Sequence, residues 1–225
     1  MKDYIEQIQR IKKKLICAKN IDKEHRVFGA NSHKYIINDP STEREISEIE
    51  TKYSIKLPNS YKSFILKIGN GGQSYLSSAA GPDYGIYPLG VNCNELILEE
   101  TELYLKNSCI ISPDMTDEYW NELVRPILRM ENNCTEEKYK KQEGYVFGGI
   151  LPISSKGCSY LSGLILNGKY KGRVIFLDYD LQKPLFAKDE NFLDWYESWL
   201  DKIISRELLP NEKERKSKKW YEIWK

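Results

Sequence analysis

The two histidines of the chain are the first residues to consider for catalysis or metal binding. His25 and His33 lie eight positions apart in a polar stretch, and this spacing pairs them on neither a helix nor a strand. A catalytic or metal-binding histidine needs carboxylates or cysteines beside it, and only Asp22, Glu24 and Asp39 are near in sequence. The pattern therefore favours two surface histidines over an active site.

Cys158 and the glycine-rich segment 69–74 are two further candidates for chemistry. Cys158 lies in a Gly-Cys-Ser turn like that of a nucleophile, but no histidine follows it in the sequence to serve as its base. The segment 69–74 has the glycines of a phosphate loop but not its Gly-Lys-Ser/Thr ending. We therefore expect a structural thiol at Cys158 and the C-terminal end of a helix at 69–74.

An acidic and aromatic segment is the best candidate for contact with another protein. Four carboxylates and two large rings fall within nine residues: Asp114, Asp117, Glu118, Tyr119, Trp120 and Glu122. One interpretation is a solvated amphipathic helix with Trp120 in the core, because aromatic residues at helical spacing usually face inward. The other is a partner-binding surface, on which the carboxylates meet a basic protein and Tyr119 or Trp120 supplies the buried anchor.

The C-terminal residues 206–225 form a basic, aromatic tail. Disordered tails rarely carry so many aromatic residues, so Trp220, Tyr221 and Trp224 are expected to dock on the domain or to contact a partner.

Charge is distributed unevenly along the chain, although the net charge is only +1. Residues 1–26 carry a balance of +4 and residues 206–225 a balance of +3, which leaves −6 for 27–205. This acidic body argues against direct nucleic-acid binding, because phosphate contacts supply most of that affinity. The basic ends remain able to contact an acidic partner.

Composition indicates a folded protein of a reducing compartment. The 225 residues are 40% hydrophobic, and the five cysteines include no Cys-x-x-Cys pair, which favours free thiols over disulfides or a zinc site. No signal peptide or membrane-spanning run is recognisable, so a cytoplasmic location is expected. No Pro/Gly/Ser-rich linker interrupts residues 43–205, which predicts a single domain over 1–225.

Capping residues predict two short helices in the first third of the chain. Thr42 and Glu45 have the spacing of a capping box, in which hydroxyl and carboxylate bond each other's backbone amides, and they predict a helix over about 43–54. A second helix is expected to be capped by Asn59 or Ser60.

Apolar spacing predicts three more helices. The first covers roughly residues 2–18, and a second lies within the polar segment 114–143, where Pro126 should kink or divide it. The last follows an Asp-Glu-Asn sequence and has a wide apolar face that includes Trp195 and Trp199. A face of this width is expected to pack on a sheet.

Strands are expected mainly in the second half of the chain. β structure should begin between 75 and 112, where turn residues recur, and continue in the apolar run 150–153. The longer runs 160–166 and 173–177 are joined through Asn-Gly and Gly, which predicts a hairpin.

The order of short motifs resembles the SUKH superfamily of Smi/Knr-type proteins. The resemblance spans roughly 43–205, interrupted at 114–143 by what looks like a helical insertion. One departure is the turn 154–159, which lacks the acidic residue that family members commonly show there. The matching residues are Ile46, Ile49, Glu50, Leu57-Pro58-Asn59-Ser60-Tyr61, Phe64, Asn70-Gly71-Gly72, Leu151-Pro152-Ile153, Gly172, Val174, Phe176, Asp178, Phe192, Leu193 and Trp195.

The resemblance implies a fold and a class of function. The fold would be α+β, with a mixed, largely antiparallel sheet flanked by helices, and the protein would have no enzymatic activity and no cofactor. Bacterial members are mostly immunity proteins that bind and neutralise a cognate polymorphic toxin, often a nuclease or another intracellular effector, whereas fungal members are signalling and cell-wall regulators. The Lys-, Ile- and Asn-rich composition is typical of a low-GC bacterium and favours an immunity protein with the segment 114–122 as its contact.

Two alternatives remain open. The first is a regulatory scaffold or adaptor of the Smi/Knr kind. The second is a hydrolase that uses carboxylates at the sheet edge, against which stand the missing base and the missing metal cluster.

Overall fold

The part of the chain that the structure describes contains eight α-helices and four β-strands. The computed structural model describes residues 4–128 and 135–210. A single 3-10 turn lies at Tyr75–Ser77 within the described chain. The helices are α1 (Ile5–Ile21), α2 (Ala30–His33), α3 (Glu43–Lys52), α4 (Asn59–Lys67), α5 (Thr101–Tyr104), α6 (Asp117–Val124), α7 (Glu136–Phe147) and α8 (Phe192–Ile204). The strands are β1 (Ile150–Gly157), β2 (Tyr160–Ile165), β3 (Val174–Asp178) and β4 (Leu185–Phe186).

The four strands form one sheet in the order β1-β2-β3-β4, and each described pair is antiparallel. The hairpin of β2 and β3 runs from the pair Tyr160 and Asp178 to the pair Leu164 and Val174, as the sequence predicts. Together with the helices, this sheet confirms the predicted α+β class. Antiparallel order follows naturally here because each strand connects to the next by a short loop.

The outer edge of β1 is covered by a loop. The amides of Tyr84 and Tyr87 donate to the carbonyls of Ser155 and Ile153 at 3.1 Å and 2.8 Å. Behind them, Ala79 and Ile86 form an isolated antiparallel bridge. Among the described residues, this bridge is all that forms of the β structure expected between 75 and 112. The loop blocks β1 from pairing with another chain at these positions.

Two apolar clusters lie on opposite faces of the sheet, because neighbouring strand residues alternate between them. Leu164 and Val174 belong to the cluster covered by α1, α3, α4 and α8, whereas Ile165 and Ile175 belong to the cluster covered by α6 and α7. Helix α8 therefore packs on a sheet face, as its wide apolar face predicts.

Helix α8 is also held to α1 by charge. Glu197 pairs with Arg10 at 3.0 Å and with Lys14 at 2.9 Å, and Lys14 reaches Asp201 at 2.6 Å. Part of the positive charge of the N-terminal segment is thus balanced within the protein. Glu197 is buried, at 8% exposed, so Arg10 and Lys14 supply the cationic partners that its carboxylate needs there. Apolar residues of α1 and α8 pack in the same cluster.

The capping predictions have different outcomes. Thr42 accepts a hydrogen bond from the Glu45 amide at 3.2 Å, and the Glu45 carboxylate accepts one from the Thr42 amide at 2.7 Å. The predicted capping box is therefore confirmed. The prediction that Asn59 or Ser60 caps α4 is wrong, because Pro58 occupies the cap position and its carbonyl accepts the first bond of the helix, from the Lys62 amide.

Removal of this capping box gives a first test. Thr42→Ala is expected to lower the free energy of unfolding by about 1 kcal/mol, because the Glu45 amide loses its acceptor. Urea denaturation followed by circular dichroism measures the change. Thr51→Ala, an exposed position inside the same helix, is the matched control and should not lower stability, because alanine is the better helix former by up to about 0.7 kcal/mol. Equal stability of both variants would show that the box is not formed in solution.

The segment 114–143 contains two helices instead of one. Helix α6 ends at Val124, just before Pro126, and α7 begins at Glu136, so the predicted division at the proline is confirmed. Residues 129–134 between them lie outside the described residues. So do residues 211–225 of the basic, aromatic tail, and the docking of its tryptophans stays a prediction, as does the single-domain organisation of 1–225.

Candidate functional site

Helix α6 presents the acidic and aromatic residues that the sequence singles out. It begins after Thr116, whose hydroxyl accepts a hydrogen bond from the Tyr119 amide at 3.2 Å. Carboxylates in the first turn suit the positive end of the helix dipole. Five exposed residues of this region are called the acidic helix surface below: Asp114, Asp117, Glu118, Tyr119 and Glu122.

Trp120 belongs to the core and not to this surface. Only 1% of the residue is exposed, its ring lies 6.4 Å from that of Phe147, and its indole Nε1 donates to the Leu181 carbonyl at 2.7 Å. The interpretation of Trp120 as a core residue is confirmed, and its buried ring is not available as the anchor of a partner-binding surface. The physical reason is the helical spacing itself, which turns Trp120, Leu123 and Val124 inward together.

Tyr119 is the remaining aromatic candidate for a binding anchor. Its residue surface is 49% exposed, and it lies in the sequence between the exposed carboxylates Glu118 and Glu122. Asp117 pairs with Lys183 at 2.5 Å, a contact that stays well solvated because the Asp117 side chain is 72% exposed. Solvated ion pairs of this kind contribute little to stability.

The histidines do not form an active site in the described structure. His33 is fully buried, which corrects the prediction of a surface histidine, and its Nδ1 accepts a hydrogen bond from the Tyr35 amide at 3.0 Å. The rings of Tyr35 and Trp199 cover it. His25 is half-buried and lies against Tyr35. Across the described residues, no three His, Cys, Asp or Glu side chains are arranged to hold a metal ion.

The glycine-rich segment 69–74 uses its amides inside the protein. The amide of Gly69 donates to Phe64, that of Asn70 to Asp39 and that of Gly72 to Ser77. These amides are therefore not available to cradle a phosphate, and the prediction of a helix C-terminal end is confirmed. Cys158 is exposed in the turn between β1 and β2, and the other described cysteines are also free thiols.

An acidic cavity that the sequence does not predict lies beside α6. It has a volume of about 590 Å³ and is lined by Glu95, Glu143 and Asp178, with Tyr179 and Leu181 among its other residues. Leu181 also accepts the indole hydrogen bond of Trp120, so the cavity and α6 share a wall. No local sequence motif predicts this cavity, because its carboxylates come from a loop, from α7 and from the end of β3.

The family motifs have structural roles here. Glu50 is buried and accepts hydrogen bonds from the Leu57 amide at 2.9 Å and from Lys56 at 2.7 Å, which ties α3 to the start of α4. Asn70 accepts one from the Leu89 amide at 2.7 Å. The contacts of Glu50 give a buried polar group the partners it needs, and the Asn70 contact ties the end of α4 to the loop at Leu89.

The structure is thus an α+β protein, with an antiparallel sheet between two helical layers and an acidic exposed helix. The model of the SMI1 / KNR4 family (SUKH-1) matches residues 40–198, and the chain belongs to this family. The family is known for immunity proteins and also has other members. No curated protein matched the chain. Throughout the described residues, no helix has both the length and the apolar character needed to cross a bilayer.

Proposed function

We propose that the protein is a non-catalytic immunity protein that binds and neutralises a cognate bacterial toxin in the cytoplasm. The observation that carries this proposal is the acidic helix surface, a solvent-facing set of four carboxylates around a half-exposed tyrosine. Membership of a family that includes immunity proteins supports it. The toxin would be a protein such as a nuclease or another intracellular effector.

The chemistry of this surface suits a basic partner. The span 27–205 carries a charge balance of −6, and complementary charge accelerates encounter between proteins. Tyr119 can then enter a pocket of the partner and exclude water from the contact, as aromatic anchors do at interfaces. Trp120 supports this surface from the core, because its buried ring and its hydrogen bond to the Leu181 carbonyl fix the orientation of α6.

The direct test starts from the gene beside the one that encodes this chain. A toxin-like reading frame immediately upstream should yield a protein that binds the full chain at a one-to-one ratio, measured by isothermal titration calorimetry. Co-expression should restore growth of cells that express the toxin. If neither the neighbouring product nor any toxin domain binds, the proposal fails and the Smi/Knr-like adaptor takes its place. Catalytic turnover by the purified chain with added metal would instead favour the hydrolase.

Substitutions on the acidic helix surface test where the toxin binds. The double variant Asp117→Lys, Glu118→Lys should associate more slowly and with a weaker salt dependence, because rim charges act mainly on the encounter rate. Tyr119→Ala should lower the affinity by at least about 2 kcal/mol. Stopped-flow mixing and calorimetry measure the two effects.

Glu48→Lys is the matched control for charge. Glu48 is an exposed carboxylate on α3, which packs on the opposite sheet face from α6, so its reversal should change the association rate much less. Unchanged binding by both α6 variants would place the contact elsewhere. The fold of each variant is checked by its melting temperature, since exposed positions are expected to change stability by less than about 0.5 kcal/mol.

A further inference from the structure

The acidic cavity is lined by carboxylates and, within the part of the chain that the structure describes, by no cationic side chain. Glu95, Glu143 and Asp178 line it, and none of its described lining residues is a lysine, arginine or histidine. Buried carboxylates are normally paired with a cation or fully hydrogen-bonded, because removal from water is unfavourable for a charge. The cavity is therefore unusual in its charge balance.

Two of these carboxylates each have an oxygen without a hydrogen-bond partner among the described residues. Asp178 is only 8% exposed, and its Oδ1 accepts the Asp180 amide at 2.9 Å while its Oδ2 is buried and unpartnered. Glu95 shows the same pattern. Its Oε1 accepts a hydrogen bond from the Tyr87 hydroxyl at 3.3 Å, whereas its buried Oε2 has no hydrogen-bond partner among the described residues. Such groups in a folded protein call for an explanation.

The third carboxylate is more fully satisfied. Glu143 accepts hydrogen bonds at 3.3 Å from both the Leu98 amide and the Tyr139 hydroxyl. Burial nevertheless raises the pKa of Glu143, and it also raises the pKa of Glu95 despite neighbouring hydroxyl groups. Both shifts have the direction expected where negative charge lacks a positive partner.

The residues that line the cavity favour an organic cation over a metal ion. The described residues offer no arrangement of His, Cys, Asp or Glu side chains that could hold a metal. Around the carboxylates lie exposed apolar and aromatic groups: Leu98 is 68% exposed, Leu128 45% and Tyr179 45%. Such a rim suits a cation on an aliphatic stem, because the stem packs on apolar atoms while the charge reaches the carboxylates.

We propose that the acidic cavity receives a basic side chain, an arginine or a lysine, of the protein partner. Arginine is favoured, because its planar fork donates to several carboxylate oxygens at once and its guanidinium stacks on aromatic rings such as Tyr179. This proposal rests on the proposed function and extends its contact surface from α6 to the cavity whose wall α6 shares.

The probe for this site is N-acetyl-arginine amide, added to the uniformly labelled full chain and followed by two-dimensional NMR. We expect saturable shifts at residues of the cavity. The neutral isostere N-acetyl-citrulline amide should give no saturable shifts. N-acetyl-lysine amide should bind more weakly than the arginine probe, because it has no bidentate fork.

The double variant E95Q/D178N neutralises two of the three carboxylates and leaves Glu143 in place. It keeps the hydrogen bonds from the Tyr87 hydroxyl and the Asp180 amide, because the amide oxygens can still accept them. The affinity of this variant for the arginine probe should be lower by at least about tenfold, which is the effect of one lost charged hydrogen bond. E6Q/E48Q neutralises two exposed carboxylates on α1 and α3, and it should bind the probe as the wild type does.

Thermal melting separates a binding role from a structural role. If the two carboxylates serve a ligand, E95Q/D178N without probe should melt at or above the wild-type temperature, since an unpaired buried charge opposes folding. A lower melting temperature together with unchanged probe affinity would overturn the proposal. Equal binding of the citrulline and arginine probes would also overturn it, as would the absence of any saturable shift.

The toxin experiment distinguishes this proposal from the proposed function. If the toxin binds E95Q/D178N as tightly as the wild type, the cavity proposal fails and the immunity function stands. If the arginine probe binds in the cavity but no toxin binds the chain, the basic-side-chain site is supported and the immunity function fails.

Discussion

Replacing Trp199 with alanine is expected to lower the free energy of unfolding by about 3–5 kcal/mol, through lost transfer energy and a new cavity. Trp199 is 6% exposed and lies in a cluster of rings. It stacks on Tyr35 at 6.2 Å, meets the edge of His33 at 5.8 Å and packs on Tyr196 at 5.4 Å. Because α2 and α8 meet in this cluster, its loss weakens the attachment of both.

Urea denaturation measures this loss, with Tyr145→Ala as the control. Tyr145 is a large aromatic residue on α7 that is 50% exposed, and its removal should change stability by less than about 0.5 kcal/mol. A near-wild-type stability of Trp199→Ala would mean that the aromatic face of α8 is a binding surface in solution and not part of the core.

Local patterns were enough to predict the elements whose residues lie close together in sequence. The Thr42 and Glu45 pair marks the start of α3, because both groups of a capping box are within one turn. The hairpin of β2 and β3 is equally local. The aromatic spacing of α8 shows both its length and its buried face.

Features that depend on distant segments could not be predicted in the same way. The loop 84–87 is fixed by the edge of β1, where the Tyr87 amide bonds the Ile153 carbonyl. Trp120 had two open interpretations because its partner Leu181 lies 61 positions away. The three carboxylates of the acidic cavity also come from separate segments, and only the fold brings them together.

His33 shows the same limit and leads to a prediction about pH. A histidine in a polar stretch reads as a surface residue, yet His33 is fully buried because Tyr35 and Trp199 cover its ring. Burial lowers the pKa of His33 to about 4, and the nearby His25 acts in the same direction, whereas Asp22 opposes the shift. The ring is therefore neutral in the folded protein at neutral pH.

This depressed pKa makes the protein sensitive to acid. The ordinary histidine pKa is 6.5, so between that pH and pH 4 the unfolded chain binds a proton that the folded chain does not. The contribution of His33 is fully present above the unfolded pKa and is lost as the pH falls to the folded pKa. Integrated over this window, the loss amounts to about 3 kcal/mol.

The variant His33→Asn isolates this contribution. An asparagine side chain can still accept the Tyr35 amide bond, as in an Asx turn, but it does not titrate. Urea denaturation from about pH 7 to about pH 4 should show a stability loss about 3 kcal/mol smaller in the variant than in the wild type. The variant starts less stable at neutral pH, because the smaller side chain leaves space beside Trp199, and the difference closes as the solution becomes more acidic.

His25→Asn is the matched control, because it removes the half-buried histidine and keeps the buried one. This variant should retain most of the stability loss that the wild type shows on acidification. The pH range of the loss should be slightly narrower, since His25 contributes to the lowered pKa of His33. The NMR titration of the His33 imidazole protons measures the pKa of His33 in the folded protein directly. If His33→Asn and the wild type lose stability in parallel as the pH falls, then the neutral, buried state of His33 is not what makes the fold acid-sensitive.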